Sequence, residues 1–128
     1  KNQTFFYSGR GGFLKEDKIK RKSTKASLDI INENFNADNK NKSDQIKILI
    51  CTDILAEGMN LHRSNVILNY DLPWNPTKVI QRLGRINRVG TNFSKLYIYN
   101  FFPTVKSDEI IDQRQNIISI LSHTTQTR

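Results

Sequence analysis

Three arginines and a glutamine lie within the eight residues from Gln81 to Arg88. A guanidinium offers a planar fork of N–H donors that matches phosphate oxygens, so this density predicts an anion-binding surface. On an α-helix, Gln81, Arg85 and Arg88 would fall within about 60° of one another. The opposite side of the same helix would be apolar and would consist of Val79, Leu83 and Ile86.

Gly84 would lie beside these arginines, and its missing side chain would let a bulky ligand come close to the helix. The alternative for any helix with several arginines is a solvated basic face. The glutamine, the glycine and the surrounding sequence favour the binding surface. Arg82 points away from this face, and we expect it to pack or to form a salt bridge.

The strands that would position this helix are visible as apolar runs. Residues 46–51 and 65–70 are nearly continuously apolar, which is typical of parallel strands covered on both faces. A third strand is predicted at residues 95–102. A short β-prone run at residues 4–7 is closed by the turn-forming residues 8–12.

Helical spacing of apolar residues predicts helices at residues 24–35 and 107–121. The arginine helix should start with Asn75 as its N-cap and Pro76 as its first helical residue, and it should end near Gly90. Strands that alternate with helices predict an α/β fold with a mostly parallel central sheet, as one domain over residues 1–128.

Ligand sites in such folds form at the carboxyl ends of the strands. The segment that follows Cys51 is in this position, and so is the loop after Tyr70 that leads to the arginine helix. The candidate chemistry therefore converges on one edge of the sheet. Cys51 itself is expected to be a small buried residue at the end of its strand.

The net charge of +8 and the isoelectric point of about 9.8 favour a polyanionic partner such as nucleic acid. Five of the eight basic residues within residues 1–25 lie in Lys15–Lys22, which is either a solvated loop or a contact to a phosphate backbone. His62 and His123 show no metal-ligand spacing, so no metal site is expected on this chain.

No apolar run approaches membrane-spanning length and no secretory signal is visible, so we expect no membrane association. The single cysteine cannot form an internal disulfide, which fits a reducing cytoplasm. The sequence starts at Lys1 without a methionine, and we therefore expect a fragment of a larger protein.

Two blocks of the sequence resemble one family. Ile50–Leu61 looks like motif V of superfamily 2 helicases, and Gln81–Arg88 looks like their motif VI. The connecting segment Asn69–Pro76 is similar to that of Swi/Snf-type translocases, including the bacterial RNA-polymerase-associated branch. The resemblance is dense over residues 46–102, and it implies the second RecA-like lobe of a two-lobed motor, a three-layer α/β domain.

The resemblance to motif VI implies roles for three residues. Arg88 matches the arginine finger, and Arg85 matches its companion on the γ-phosphate of ATP. Gln81 matches the residue that bridges to the nucleotide site.

The resemblance to motif V implies a set of contacts around the strand end. Gly58 would allow close approach of the backbone to the nucleotide, and Asn60 replaces the aspartate that some families use on the ribose. Thr52 would touch the nucleic-acid backbone, or its hydroxyl would cap the next turn. Asp53 would position this loop beside the nucleic acid. Glu57 would pair with an arginine across the ATP site, or it would be a surface carboxylate.

ATP and Mg²⁺ are the implied ligands, and nucleic acid, with double-stranded DNA expected, is the implied partner. The chain has neither a phosphate-binding Gly-x-x-x-x-Gly-Lys-Ser/Thr loop nor an apolar strand that ends in an Asp-Glu pair for Mg²⁺. In this family both lie on the first lobe, so the fragment alone is expected to be inactive. The alternatives are a non-catalytic nucleic-acid-binding module on the same fold and an unrelated nucleotide-binding domain.

Overall fold

The computed structural model of the protein describes residues 3–17, 20–56, 58–73, 75–87, 91, 93–102, 112 and 115–119. In chain order, its elements are β1 (Gln3–Ser8), β2 (Gly11–Leu14), α1 (Thr24–Phe35), β3 (Ile46–Cys51), a 3₁₀ turn (Asp53–Ala56), β4 (Val66–Asn69), α2 (Pro76–Ile86) and β5 (Tyr97–Asn100). Residues 115–119 are also helical, within the helix predicted at residues 107–121.

The first sheet has the strand order β2-β1-β3. Strand β1 pairs in parallel with β3, so that Tyr7 lies opposite Cys51, and it pairs antiparallel with β2. Strand β2 was not predicted, because its two glycines indicate a turn. The Gly12 N–H donates to the buried Ser27 hydroxyl at 2.8 Å, so tertiary contact with α1 holds this glycine-rich segment in the sheet.

Helix α1 has the bounds that its apolar spacing predicts, and the Ser23 side chain caps it by accepting from the Ala26 N–H at 3.3 Å. It covers one face of the first sheet. The resulting core is formed by Phe5, Tyr7, Ile31, Phe35, Ile46 and Leu55. This core fixes β3, and therefore the segment that follows it.

The second sheet contains β4 and β5, which pair in parallel with Leu68 opposite Tyr99. The α/β class with parallel pairing is confirmed, but the described strands form two sheets instead of one. The prediction that residues 46–51 and 65–70 are covered on both faces is wrong in the described part of the chain. Ile48 and Leu68 are each 55% exposed, because the described helices leave these faces open.

Cys51 is exposed, which corrects the prediction of a buried thiol. Strand β3 lies at the edge of its sheet, so its last residue borders solvent. Among the described residues, no helix is both long and apolar enough to cross a membrane.

Candidate functional site

The predicted site lies at the carboxyl ends of three strands. Strand β3 ends at Cys51 and leads directly into Thr52 and Asp53, while β4 and β5 end at Asn69 and Asn100. Helix α2 lies against the 3₁₀ turn that Asp53 opens. The structure therefore brings the segment after β3 and the arginine helix together, as the parallel topology predicts.

Helix α2 starts as predicted. The Asn75 side chain accepts from the Thr77 N–H at 2.9 Å, and Pro76 occupies the first helical turn. The buried residues of the helix are the predicted ones, Val79, Leu83 and Ile86.

The outward face of α2 carries the predicted polar residues. Gln81 is exposed and Arg85 is half-buried. A Cβ added at Gly84 would meet no atom within 4 Å, so the space above this part of the helix is open. The helix thus docks through one side and leaves the other accessible to a ligand.

Helix α2 ends at Ile86, earlier than the predicted end near Gly90. Asn87 leaves the helical conformation with φ −90° and ψ 88°, although its N–H still donates to the Leu83 carbonyl at 2.8 Å. Asparagine favours such ends because its side chain competes for backbone hydrogen bonds. Arg88 lies outside the described residues, so its place beside Gln81 and Arg85 stays a prediction.

Arg82 forms the expected salt bridge, and its guanidinium makes two further hydrogen bonds. Its guanidinium pairs with the Asp53 carboxylate, with Nε at 2.9 Å from Oδ1. Its Nη1 donates to the Asn69 side chain and to the Asp71 carbonyl, each at 3.0 Å. One arginine therefore connects α2 to the segments that follow β3 and β4.

The loop after the 3₁₀ turn is anchored to α2 at a second point. The Leu61 N–H donates to the Arg85 carbonyl at 2.8 Å. Within this loop, Gly58 has φ +93°, a conformation that strains residues with a side chain, and no atom lies within 4 Å of an added Cβ. Asn60 is half-buried, and Glu57 lies outside the described residues.

Two of the predicted ligand-contacting side chains face solvent. Thr52 and Gln81 are exposed, and neither side chain has a hydrogen-bond partner within the described part of the chain. The Asp53 carboxylate, in contrast, is occupied by Arg82, which suits the expected role of positioning the loop. Thr52 and Gln81 are therefore available to a ligand.

The Cys51 thiol borders this network but is not activated by it. Desolvation by neighbouring atoms raises the pKa of Cys51, the Arg82 charge opposes this rise, and the Asp53 carboxylate adds to it. A thiol with a raised pKa stays protonated at neutral pH and is a poor nucleophile. The geometry thus gives Cys51 no reactive role.

The opposite edge, at the amino ends of β3 and β4, holds a cavity of about 410 Å³. His62 lines it and is 1% exposed, and neither ring nitrogen has a hydrogen-bond partner in the described structure. Its Nε2 lies 3.6 Å from the Asp38 carboxylate. None of the predicted site residues lines this cavity, so the cavity and the predicted chemistry occupy different edges.

Arg63 organises the amino edge. Its Nη1 donates to the Glu33 carbonyl at 3.0 Å and to the Ser43 carbonyl at 2.8 Å, and its Nη2 lies 3.3 Å from the Asp44 carboxylate. The hydrogen bond and the ion pair with Lys47 lower the pKa of the Asp44 carboxyl, and the charge of Arg63 lowers it further. Local sequence patterns do not predict this cluster, because Arg63 lies 19 to 30 residues away from these three partners.

Residues 12–90, which contain both the carboxyl-edge loop and α2, match the family model described as the helicase conserved C-terminal domain. The chain belongs to this family. The match covers more than half of the chain and includes the two blocks that resemble motifs V and VI. The RecA-like α/β class of this helicase C-terminal domain agrees with the strands and helices described above.

Several curated proteins are similar to this helicase C-terminal domain. An ATP-dependent helicase of Bacillus subtilis, YqhH, is 48% identical over 56 residues, which is 44% of this chain and 10% of YqhH. The RNA polymerase-associated protein RapA of Vibrio parahaemolyticus is 44% identical over 46 residues, 36% of this chain and 5% of RapA. The ATP-dependent RNA helicase uap56 of Schizosaccharomyces pombe is 32% identical over 69 residues, 54% of this chain and 15% of uap56.

The matched segments thus span at most 15% of these relatives. In the described part of this domain, no group of three or more His, Cys, Asp or Glu side chains could hold a metal ion.

Proposed function

We propose that this domain is the second motor lobe of an ATP-dependent nucleic-acid helicase or translocase. In this proposal it supplies arginines to an ATP site that it shares with a first RecA-like lobe. The observation that carries the proposal is the placement of α2. The helix is docked by its apolar side, and its polar side opens at the carboxyl edge beside the segment Thr52–Asp53.

The proposed chemistry is assistance to phosphoryl transfer. Arg85 and Arg88 would meet the negative charge that spreads over phosphate oxygens in the transition state, and such an arginine is typically worth about 10³ to 10⁵ in rate. Gln81 would bridge to the nucleotide. Gly84 and Gly58 would let the nucleotide and the facing lobe come close to the backbone.

Mg²⁺ and the phosphate-binding loop belong, in this proposal, to the first lobe. The domain described here would complete the site only when the two lobes close, so hydrolysis would depend on a conformational step. Asn60 would lie at the margin of the same site, near the ribose. Glu57 would lie there too, across from an arginine.

Nucleic acid would bind along the same edge. The Thr52 hydroxyl is exposed and would accept or donate a hydrogen bond to the backbone of one strand. The main chain of Lys22 forms an isolated β-bridge with Gly12, next to the end of β1. The Arg21 Cζ atom lies 5.6 Å from the centroid of the Phe13 ring. With the net charge of +8, these residues support a phosphate-backbone contact.

The similarity to RapA supports a Swi/Snf-like branch, and on that branch we propose double-stranded DNA as the partner. Relatives named as RNA helicases make RNA the competing partner. We propose that residues 1–128 form one domain of a larger cytoplasmic protein. Binding of matched duplex DNA and RNA by the full-length protein would decide between the two partners.

The test is ATP hydrolysis by the full-length protein with Arg85→Ala or Arg88→Ala. We expect each variant to lose nucleic-acid-stimulated turnover by about 10³-fold or more while ATP binding is largely kept. Lys78→Ala removes a positive charge from an exposed position of the same helix and serves as the control. Normal turnover in both arginine variants would refute the proposed role of α2.

The second candidate is a non-catalytic nucleic-acid-binding module, which the strong positive charge favours. It predicts salt-dependent nucleic-acid binding without any ATP turnover in the full-length protein. The hydrolysis assay on the unmodified protein separates it from the motor lobe.

A further inference from the structure

The cavity at the amino edge takes no part in the proposed function. Its volume of about 410 Å³ is in the range of about 300–1,000 Å³ that is usual for clefts that bind small organic molecules. Its walls come from the end of α1, the start of β3, the segment before β4 and Phe93. None of the described residues proposed to contact ATP or nucleic acid lines it, so a ligand here would occupy a separate site.

Several polar groups in these walls are held by the protein itself. Asn34 donates to the Ile30 carbonyl at 2.8 Å, and its side-chain oxygen accepts from the Ile46 N–H at 3.0 Å. The Arg63 N–H donates to the Phe35 carbonyl at 3.0 Å, and its guanidinium makes the three hydrogen bonds described above. These bonds join α1, β3 and the segment before β4, so the walls do not depend on a ligand for their shape.

His62 is an exception among the buried groups of this cavity. Its side chain is 1% exposed, and neither ring nitrogen has a hydrogen-bond partner within the described residues. The Asp38 carboxylate lies 3.6 Å from Nε2, which is beyond hydrogen-bonding distance. A buried polar group without a partner costs stability, and most such groups in native proteins have one. An acceptor atom of a ligand in the cavity would supply the missing partner.

The charged groups of the cavity favour an anion as this ligand. Lys47 and Arg63 both pair with the Asp44 carboxylate, so two cations share one anion. The Lys47 ammonium has three N–H donors, and in the described part of the chain it bonds only to Asp44. One negative charge on a ligand would therefore balance the excess positive charge and accept from Lys47.

The rest of the wall is largely apolar. Phe35, Ile46, Val66 and Phe93 line the cavity, and a ligand that consisted only of a charged group would leave them uncovered. A carboxylate on a hydrocarbon body matches both the charged and the apolar part of the wall.

We propose that the amino-edge cavity binds a small monocarboxylate with an apolar body. The body packs against the two phenylalanines, and the carboxylate accepts from His62 and Lys47. A carboxylate carries one negative charge at neutral pH, which equals the excess on the wall, whereas a phosphate monoester carries about 1.5 to 2. This inference does not rest on the proposed function, because it involves neither ATP nor nucleic acid.

The test is isothermal titration calorimetry of the full-length protein with butanoate, benzoate and 3-phenylpropionate. We expect at least one of them to bind in a one-to-one ratio. Its primary amide has the same body without the charge and should bind at least about tenfold more weakly, the usual scale for a hydrogen bond to a charged group.

Two variants locate the site. His62→Phe keeps an aromatic ring but removes both nitrogens, and it should weaken carboxylate binding about tenfold or more. Lys47→Gln removes a partly exposed charge and should weaken binding about threefold. Because Lys47 lies at the surface, this variant keeps the test decisive if His62→Phe does not fold. Lys78→Gln removes the same charge from exposed α2 and should bind the carboxylate unchanged.

Weaker binding in both cavity variants, with Lys78→Gln unchanged, would support the site. Three results would overturn it: no binding of any of the three carboxylates, equal affinity for the carboxylate and its amide, or full affinity in every folded variant. Tighter binding of phenyl phosphate than of benzoate would overturn the assignment of a single charge. Since none of these measurements involves ATP hydrolysis, the motor-lobe proposal stands or fails separately.

Discussion

Arg82 and Arg63 form comparable sets of hydrogen bonds at opposite ends of the strands. Each guanidinium bonds to three residues, and each has one aspartate carboxylate among its partners. Their other partners differ. Arg63 holds two main-chain carbonyls around the loop before β3, whereas Arg82 holds the side chain of Asn69 and one carbonyl in the loop before α2.

This difference indicates two kinds of role. At the amino edge, Arg63 fixes the backbone around a cavity that no predicted site residue lines. At the carboxyl edge, Arg82 connects the side chains of Asp53 and Asn69, and Asp53 is adjacent in sequence to the proposed ligand contact Thr52. The comparison teaches that the number of hydrogen bonds does not identify a functional arginine. The identity of its partners and their distance from the proposed site are the better guide.

The largest expected effect on nucleic-acid binding concerns the basic stretch Lys15–Lys22. Neutralising Lys18, Lys20, Arg21 and Lys22 should weaken nucleic-acid binding and flatten its dependence on salt, by up to about 0.9 in the logarithmic slope for each lost phosphate contact. Binding titrations of the full-length protein at several salt concentrations measure this slope. An unchanged slope would return these residues to a solvated loop and restrict the proposed nucleic-acid site to the strand ends.

The next largest effect concerns the stability that Arg63 provides at the amino edge. Arg63→Ala should destabilise the fold by about 1–3 kcal/mol, because the Glu33 and Ser43 carbonyls lose a half-buried donor. Turnover per folded molecule should stay within about twofold, since no ligand contact depends on it. Chemical unfolding of Arg63→Ala and of the exposed control Arg10→Ala provides the measurement. Equal stability of the two variants would remove the structural role assigned to Arg63.

The smallest expected effect is that of Gly84→Ala, which should raise stability and lower activity. Gly84→Ala should stabilise α2 by up to about 1 kcal/mol, because alanine is the better helix former and the space around it is open. The same methyl group would lie where the facing lobe and nucleotide are proposed to approach, so ATP turnover should fall. Thermal unfolding and hydrolysis assays on one preparation test both signs. A stabilised variant with full activity would show that nothing comes close to this face.

Local signals in the sequence predicted the elements that depend on local rules. Helix α1 and the start of α2 follow from apolar spacing and from the cap residues Ser23 and Asn75. The buried side of α2 follows from the same spacing. These features need only neighbours within a few positions, so the sequence alone carries them.

Features that depend on distant partners were missed or mistaken. Strand β2 needs the Ser27 hydroxyl, 15 residues away from Gly12, and Arg82 needs Asp53, 29 residues away. The apolar runs of β3 and β4 predicted burial, but exposure depends on which elements cover them. Pairing and coverage are set by tertiary structure, which hydrophobic pattern does not encode.

The most direct test of the account is to compare Arg85→Ala with Arg63→Ala for ATP turnover at saturating nucleic acid, per folded molecule of the full-length protein. The account predicts a loss of about 10³-fold or more in Arg85→Ala and a change within about twofold in Arg63→Ala. Equal turnover in the two variants, or a larger loss in Arg63→Ala, would contradict the assignment of the chemistry to the carboxyl edge.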